Sequence, residues 1–102
     1  GDSIFCNVHI SFAEAALGAI ITVPTLQGDV EYDLAEGTQT GSIFTLKGKG
    51  IKGVSSRNAG DLYFTVIVDV PKKLNKEQRE LLLSFAKASG ENFEVGKKRK
   101  FF

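Results

Sequence analysis

The sequence predicts a mainly β domain with one short helix near its start and a longer helix near its end. Three observations lead there. Apolar and polar residues alternate over Ile4–Ile10, Val30–Leu34 and Leu62–Val70, the two-residue period of a strand with one covered face. The period lengthens to a helical one late in the chain, where Leu81, Leu82, Phe85 and Ala86 form a stripe. The 11 glycines all fall outside the periodic segments, most of them between segments, where turns belong.

The elements follow in order. Ile4, Cys6, Val8 and Ile10 share the inner face of the first strand, and Phe5, Asn7 and His9 point outward. Ser11-Phe12-Ala13-Glu14 has capping-box spacing, so a short helix is expected over Phe12–Leu17, stopped by Gly18. Ala19–Val23 forms a strand, and Val30, Tyr32 and Leu34 mark the inner face of its partner, with Pro24–Asp29 as the hairpin loop. A polar connection over Ala35–Gly41 leads to a short strand at Ser42–Leu46. In the strongest strand, Leu62–Val70, one face is fully apolar and the other half so. After Pro71, Asn75 is a good N-cap with Gln78 three residues on, and a helix is expected over Lys76–Ser89, closed by Gly90. Residues from Glu91 onward, ending Lys97-Lys98-Arg99-Lys100-Phe101-Phe102, read as a mobile basic tail.

At 102 residues the chain has room for one domain, which hides roughly two thirds of its unfolded surface. Thirteen Lys and Arg against twelve Asp and Glu leave a net charge of +1, far from the excess that draws a whole face onto nucleic acid or an anionic membrane. Neither is expected as a partner. The apolar stretches are short, and none approaches the roughly 20 residues of a membrane span. No signal peptide is expected from the first residues, which lead straight into strand-like sequence, and a chain beginning at Gly1 reads as an excised piece. The lone Cys6 excludes an internal disulfide and fits a reducing compartment, so a cytoplasmic location is expected.

Candidate chemistries fail on their context. Gly48, Gly50 and Gly53 spell G-x-G-x-x-G, but that fingerprint needs a helix to begin within it so that amides meet the phosphates. Here a loop over Val54–Gly60 and then a strand follow, and glycines supplying positive-φ turns are the better account. Cys6 and His9 resemble half a metal site, yet strand alternation sends them to opposite faces. With one His, one Cys and no G-x-S-x-G, no nucleophilic triad or closed zinc site can be assembled. Asp29, Asp33, Asp61 and Asp69 sit where turns and solvent faces are acidic anyway. No active site is expected, and the chain is read as a non-enzyme.

Several segments, in order, resemble the carboxy-terminal region of the DnaJ family of J-domain co-chaperones. They are Gly1-Asp2-Ser3-Ile4-Phe5-Cys6, Ile10–Gly18 for "SF-x-x-A-x-L-G", Val23–Gly28 for "VPTL-x-G", Glu36–Gly41 for "EGTQTG" and Phe44–Gly50 for "F-x-L-x-GKG". Gly60-Asp61-Leu62-Tyr63 matches "GDLY", and Leu74 through Phe85 matches "L-x-x-x-Q-x-x-LL-x-x-F". Ala35 departs from the pattern, standing where the family commonly has proline.

The resemblance implies a small two-sheet β-sandwich of the DnaJ C-terminal, peptide-binding type, with one short helix and a C-terminal helix. Residues 1–72 would form the sandwich subdomain, 73–90 the dimerisation helix and 91–102 the flexible tail. It implies a homodimer through Leu74, Leu81, Leu82, Phe85 and Ala86. It also implies weak binding of unfolded or extended polypeptide clients at Phe5, Ile20 and Phe44. Neither the His-Pro-Asp signature of a J-domain nor the C-x-x-C-x-G-x-G zinc repeat occurs in this sequence. Contact with a DnaK-type chaperone would therefore run through other domains, and zinc would belong to another domain, with no cofactor expected here. The alternatives are a small β-sandwich binding module for sugars or lipids without a chaperone role, and a nucleotide-using enzyme built on Gly48–Gly53.

Overall fold

The computed structural model describes residues 1–53 and 59–92. Residues 54–58 of the loop expected over Val54–Gly60, and residues 93–102 of the expected tail with its basic run Lys97–Lys100, lie outside the described residues. The elements run β1 (Ile4–Ser11), α1 (Phe12–Leu17), β2 (Ala19–Thr25), β3 (Gly28–Leu34), β4 (Ile43–Leu46), β5 (Leu62–Asp69) and α2 (Lys76–Ala88). They fall into two compact units, one spanning Gly1–Val70 and the other beginning at Pro71.

In the first unit β5 is the middle strand of a three-stranded sheet. It runs parallel to β1, from Ile4↔Leu62 to Ser11↔Asp69, and antiparallel to β4, from Ile43↔Thr65 to Leu46↔Leu62. β2 and β3 make a separate antiparallel pair, from Ala19↔Leu34 to Thr25↔Gly28. A parallel pair cannot be joined by a tight turn. The whole stretch from α1 to β4 therefore lies in the connection between β1 and β5.

The two sheets bury their alternating residues against each other. Ile10, Leu62, Phe64 and Val66 from the larger sheet form one core cluster with Ile21, Val23 and Leu34 from the smaller and Ala15 from α1. An aromatic group joins the layers: the Tyr32 ring on β3 lies 5.1 Å from Phe64, edge-on at 83°, and 5.1 Å from Phe44. The molecule is thus mainly β, in two sheets, as the sequence predicts.

Local chemistry sets the ends of α1. The Glu14 N–H donates to Ser11 Oγ at 3.0 Å and the Ser11 N–H to Glu14 Oε1 at 2.8 Å, which completes the capping box. Gly18 ends the helix at φ 82°. The EGTQTG segment serves both α1 and β5. Gly37 and Thr38 donate N–H groups to the Ala15 carbonyl at 2.9 and 3.0 Å, satisfying a helix end. Gly41 donates to the Val66 carbonyl at 2.7 Å, and the Val68 N–H donates to Thr40 Oγ1 at 3.0 Å, so the loop extends the β4 edge of β5.

Two local expectations are corrected. Pro24–Asp29 is not a six-residue loop: the strands continue to Thr25↔Gly28 and leave only Leu26-Gln27 at the tip. Thr25 makes that possible, its Oγ accepting the Gln27 N–H at 3.1 Å and donating to the Gly28 carbonyl at 2.5 Å. Val70 lies beyond β5 and is 78 % exposed, outside the apolar face assigned to it.

In the second unit, Asn75 and Gln78 exchange capping hydrogen bonds at 2.8 and 2.9 Å. Gly90, at φ 82°, and Glu91 donate N–H groups to the Lys87 and Ala86 carbonyls, each at 3.0 Å. That pair of bonds is a Schellman ending, which requires a left-handed residue at the glycine. No residue of α2 is buried.

Candidate functional site

The glycine-rich stretch after β4 is a junction of three backbone segments. Gly48 turns the chain at φ 74°, and its N–H is taken by Asp61 Oδ1 at 3.0 Å. Gly50 has no positive φ and is needed for a different reason. A Cβ there would stand 2.5 Å from the Asp2 carbonyl oxygen, 2.6 Å from the Gly60 carbonyl carbon and 2.7 Å from the Asp61 oxygen. Hydrogen bonds from Gly50 to Gly60 and from Ile51 to Asp2, both 2.8 Å, hold the three segments together. The reading of these glycines as turn formers thus holds for Gly48 and is corrected for Gly50. The next described element is a strand, so among the described residues no helix begins within or directly after this stretch.

The parallel register brings His9 and Asp69 together across the outer face of the larger sheet, with His9 Nδ1 2.9 Å from Asp69 Oδ1. Sequence reasoning missed this pair because 60 residues separate its members. Both side chains are exposed, and such a surface pair contributes at most about 1 kcal/mol. Among the described residues no group of three or more His, Cys, Asp or Glu stands where it could hold a metal ion. No helix among them is long and apolar enough to cross a membrane.

Apolar side chains that face outward are the more informative feature. Phe5, 76 % exposed, stacks on Tyr63 with ring centroids 5.1 Å apart and planes 15° from parallel. Ile43 is exposed on the same face, one register row further along. On the smaller sheet Ile20 is 67 % exposed beside Leu17, and with Asp33, Leu34, Ala35 and Glu36 they line an open cleft of about 390 Å³. Phe44 is placed differently. Its ring packs inward, 5.4 Å from Phe64, and supports the sheet from beneath.

Along the stripe on α2, Leu81 is 64 %, Leu82 44 % and Phe85 52 % exposed. Leu74 and Ala86 are half-buried, as is Leu83, which lies off the stripe read from the sequence.

A family profile described as the DnaJ C terminal domain matches residues 1–71. The "Chaperone protein DnaJ" of Clostridium beijerinckii is 52 % identical over 104 residues, covering 99 % of this chain and 28 % of that protein. The protein of the same name from Clostridium tetani is 48 % identical, covering all of this chain and 27 % of its own length. That of Streptococcus uberis is 46 % identical, with the same coverage of both chains. The chain thus spans about a quarter of the length of the curated relatives it matches.

Proposed function

We propose that this chain, which belongs to the DnaJ C terminal domain family, is the dimerising and client-holding end of a J-domain co-chaperone. The observation that carries the reading is α2, a capped 13-residue helix with an apolar stripe and no buried residue. Such a stripe is covered in the working state, and a second copy of the helix covers it most economically. Burying Leu81 and Leu82 from each of two protomers contributes about 1.5–3 kcal/mol per side chain. Association itself costs an estimated 4–15 kcal/mol. The two magnitudes are comparable, so the dimer is marginal and sensitive to one change.

Leu82→Asp is expected to convert the dimer to monomer in sedimentation without altering the thermal unfolding of the sandwich. A dimer of unchanged affinity would sink this assignment, and a collapse of the fold would make Leu82 a core residue instead. Leu74, Phe85 and Ala86 extend the same surface.

Each protomer then offers unfolded polypeptide a weak site on exposed apolar side chains, Phe5 on the larger sheet and Ile20 on the smaller. Phe44 contributes by backing the larger sheet rather than by direct contact. Joining two such sites raises avidity by about 10²–10⁴ over either alone. Delivery to a DnaK-type chaperone, in the cytoplasm, is the role of the longer protein. The reaction is holding and transfer, with no covalent step.

Because Phe5 and Ile20 are exposed, Phe5→Ser and Ile20→Ser should each shift stability by less than about 1 kcal/mol. The pair together should still weaken capture of a denatured client, measured as suppression of its aggregation. Unchanged suppression by the double variant would remove these two residues from the client surface.

A further inference from the structure

On the outer face of the β2–β3 sheet two unlike columns of side chains run side by side. The register sets Ile20 against Asp33, Thr22 against Glu31 and Pro24 against Asp29, and all six are exposed. One column is uncharged and the other is three carboxylates in succession. None of the three belongs to the one ion pair among the described residues, His9–Asp69. The surrounding chain deepens the charge: residues 1–46 hold Asp2, Glu14, Asp29, Glu31, Asp33 and Glu36 but no Lys or Arg, all of which lie from Lys47 onward. At one end of the columns the Leu17–Ile20 cleft adds apolar surface, with Asp33 and Glu36 on its rim.

The spacing selects the kind of occupant. Successive carboxylates on a strand face stand about 6.6–6.8 Å apart, the spacing of alternate side chains in another extended chain. Among the described residues no group of three or more His, Cys, Asp or Glu stands where it could hold a metal ion, this column included. The sign excludes nucleic acid and anionic lipid, which carry the same charge as the column.

We propose that this face takes extended polypeptide segments with basic side chains at alternate positions and an apolar residue beside them. The cations lie along Asp29, Glu31 and Asp33, and the apolar residue enters the Leu17–Ile20 cleft. The proposal rests on the client-holding reading and gives it a substrate class: stretches of unfolded protein that are apolar and basic, with acidic stretches turned away.

The test uses the 102-residue chain and labelled ten-residue peptides of one apolar composition, with Lys, Gln or Glu at alternate positions, followed by fluorescence anisotropy. Three exposed charge pairs, each worth a few tenths of a kcal/mol, give the Lys peptide about a tenfold advantage over the Gln peptide, with the Glu peptide weakest. The combined variant Asp29→Asn, Glu31→Gln, Asp33→Asn should erase that advantage and leave the Gln peptide unaffected. Raising salt to about 1 M, where screening acts within roughly 3 Å, should erase it too. Equal affinity for the Lys and Gln peptides, or an advantage that survives in the variant, overturns the proposal while the client reading stands. Binding of no peptide at all overturns both. A variant that aggregates with unaltered peptide affinities assigns the carboxylates to guarding a sheet edge, which also overturns it.

Discussion

Phe64→Ala should lower the stability of the sandwich by about 3–5 kcal/mol, the usual range for removing a fully buried aromatic side chain. Phe64 has no exposed surface and sits on the middle strand, with neighbours on both sides. Its ring also touches the smaller sheet through Tyr32, at 5.1 Å. Truncation therefore loses burial, leaves a cavity and breaks aromatic pairs worth about 0.5–1.5 kcal/mol each. Domains of this size have about 5–15 kcal/mol in all, so the variant should sit near the edge of folding. Urea unfolding measures the loss directly as a fall in midpoint at constant slope. A loss under about 1 kcal/mol would mean that the two sheets are not joined through this residue.

Gly50→Ala is expected to cost about 3 kcal/mol, the upper end of the usual range for overpacking, because its new methyl group meets backbone on three sides. None of those atoms can swing aside as a side chain would. Gly48→Ala, two residues earlier, provides the control. Its φ of 74° is strained for any residue with a Cβ, yet a methyl there meets nothing within 4 Å. The cost should be about 1–2 kcal/mol, the price of the left-handed backbone alone. Equal losses at the two sites would contradict the close-packed junction of Asp2, Gly50 and Gly60.

The faces of the strands were readable because alternation is local. Ile4, Cys6, Val8 and Ile10 turn inward and Phe5, Asn7 and His9 outward, as their period requires. Both capping boxes were readable for the same reason, since Ser11–Glu14 and Asn75–Gln78 close within one turn. What alternation leaves undetermined is which strand pairs with which. Nothing within Ile4–Ser11 signals a parallel partner some 60 residues away, so the His9–Asp69 contact emerges only from the register, as does the placing of Ile20, Thr22 and Pro24 beside the acidic column. The role of Gly50 was hidden too. Turn glycines and close-approach glycines look alike in a sequence, and only the backbones crossing nearby tell them apart.

For the proposed surfaces, legibility followed exposure. Leu81 and Leu82 formed a visible stripe, and α2 leaves it open. Phe5 falls on an outward position that strand period assigns, whereas Ala19–Val23 is apolar but for Thr22, so the outward place of Ile20 shows only in the fold. Phe44, grouped with them through the family resemblance, faces inward and packs on Tyr32 and Phe64 from two other strands.

The central claim is that α2 joins two copies of the chain into a clamp. Sedimentation equilibrium across a concentration series tests it most directly. The account predicts a mass that rises with concentration from 11.0 kDa to twice that value in the unmodified chain and stays at 11.0 kDa in Leu82→Asp. A mass of 11.0 kDa for the unmodified chain at every concentration would contradict it.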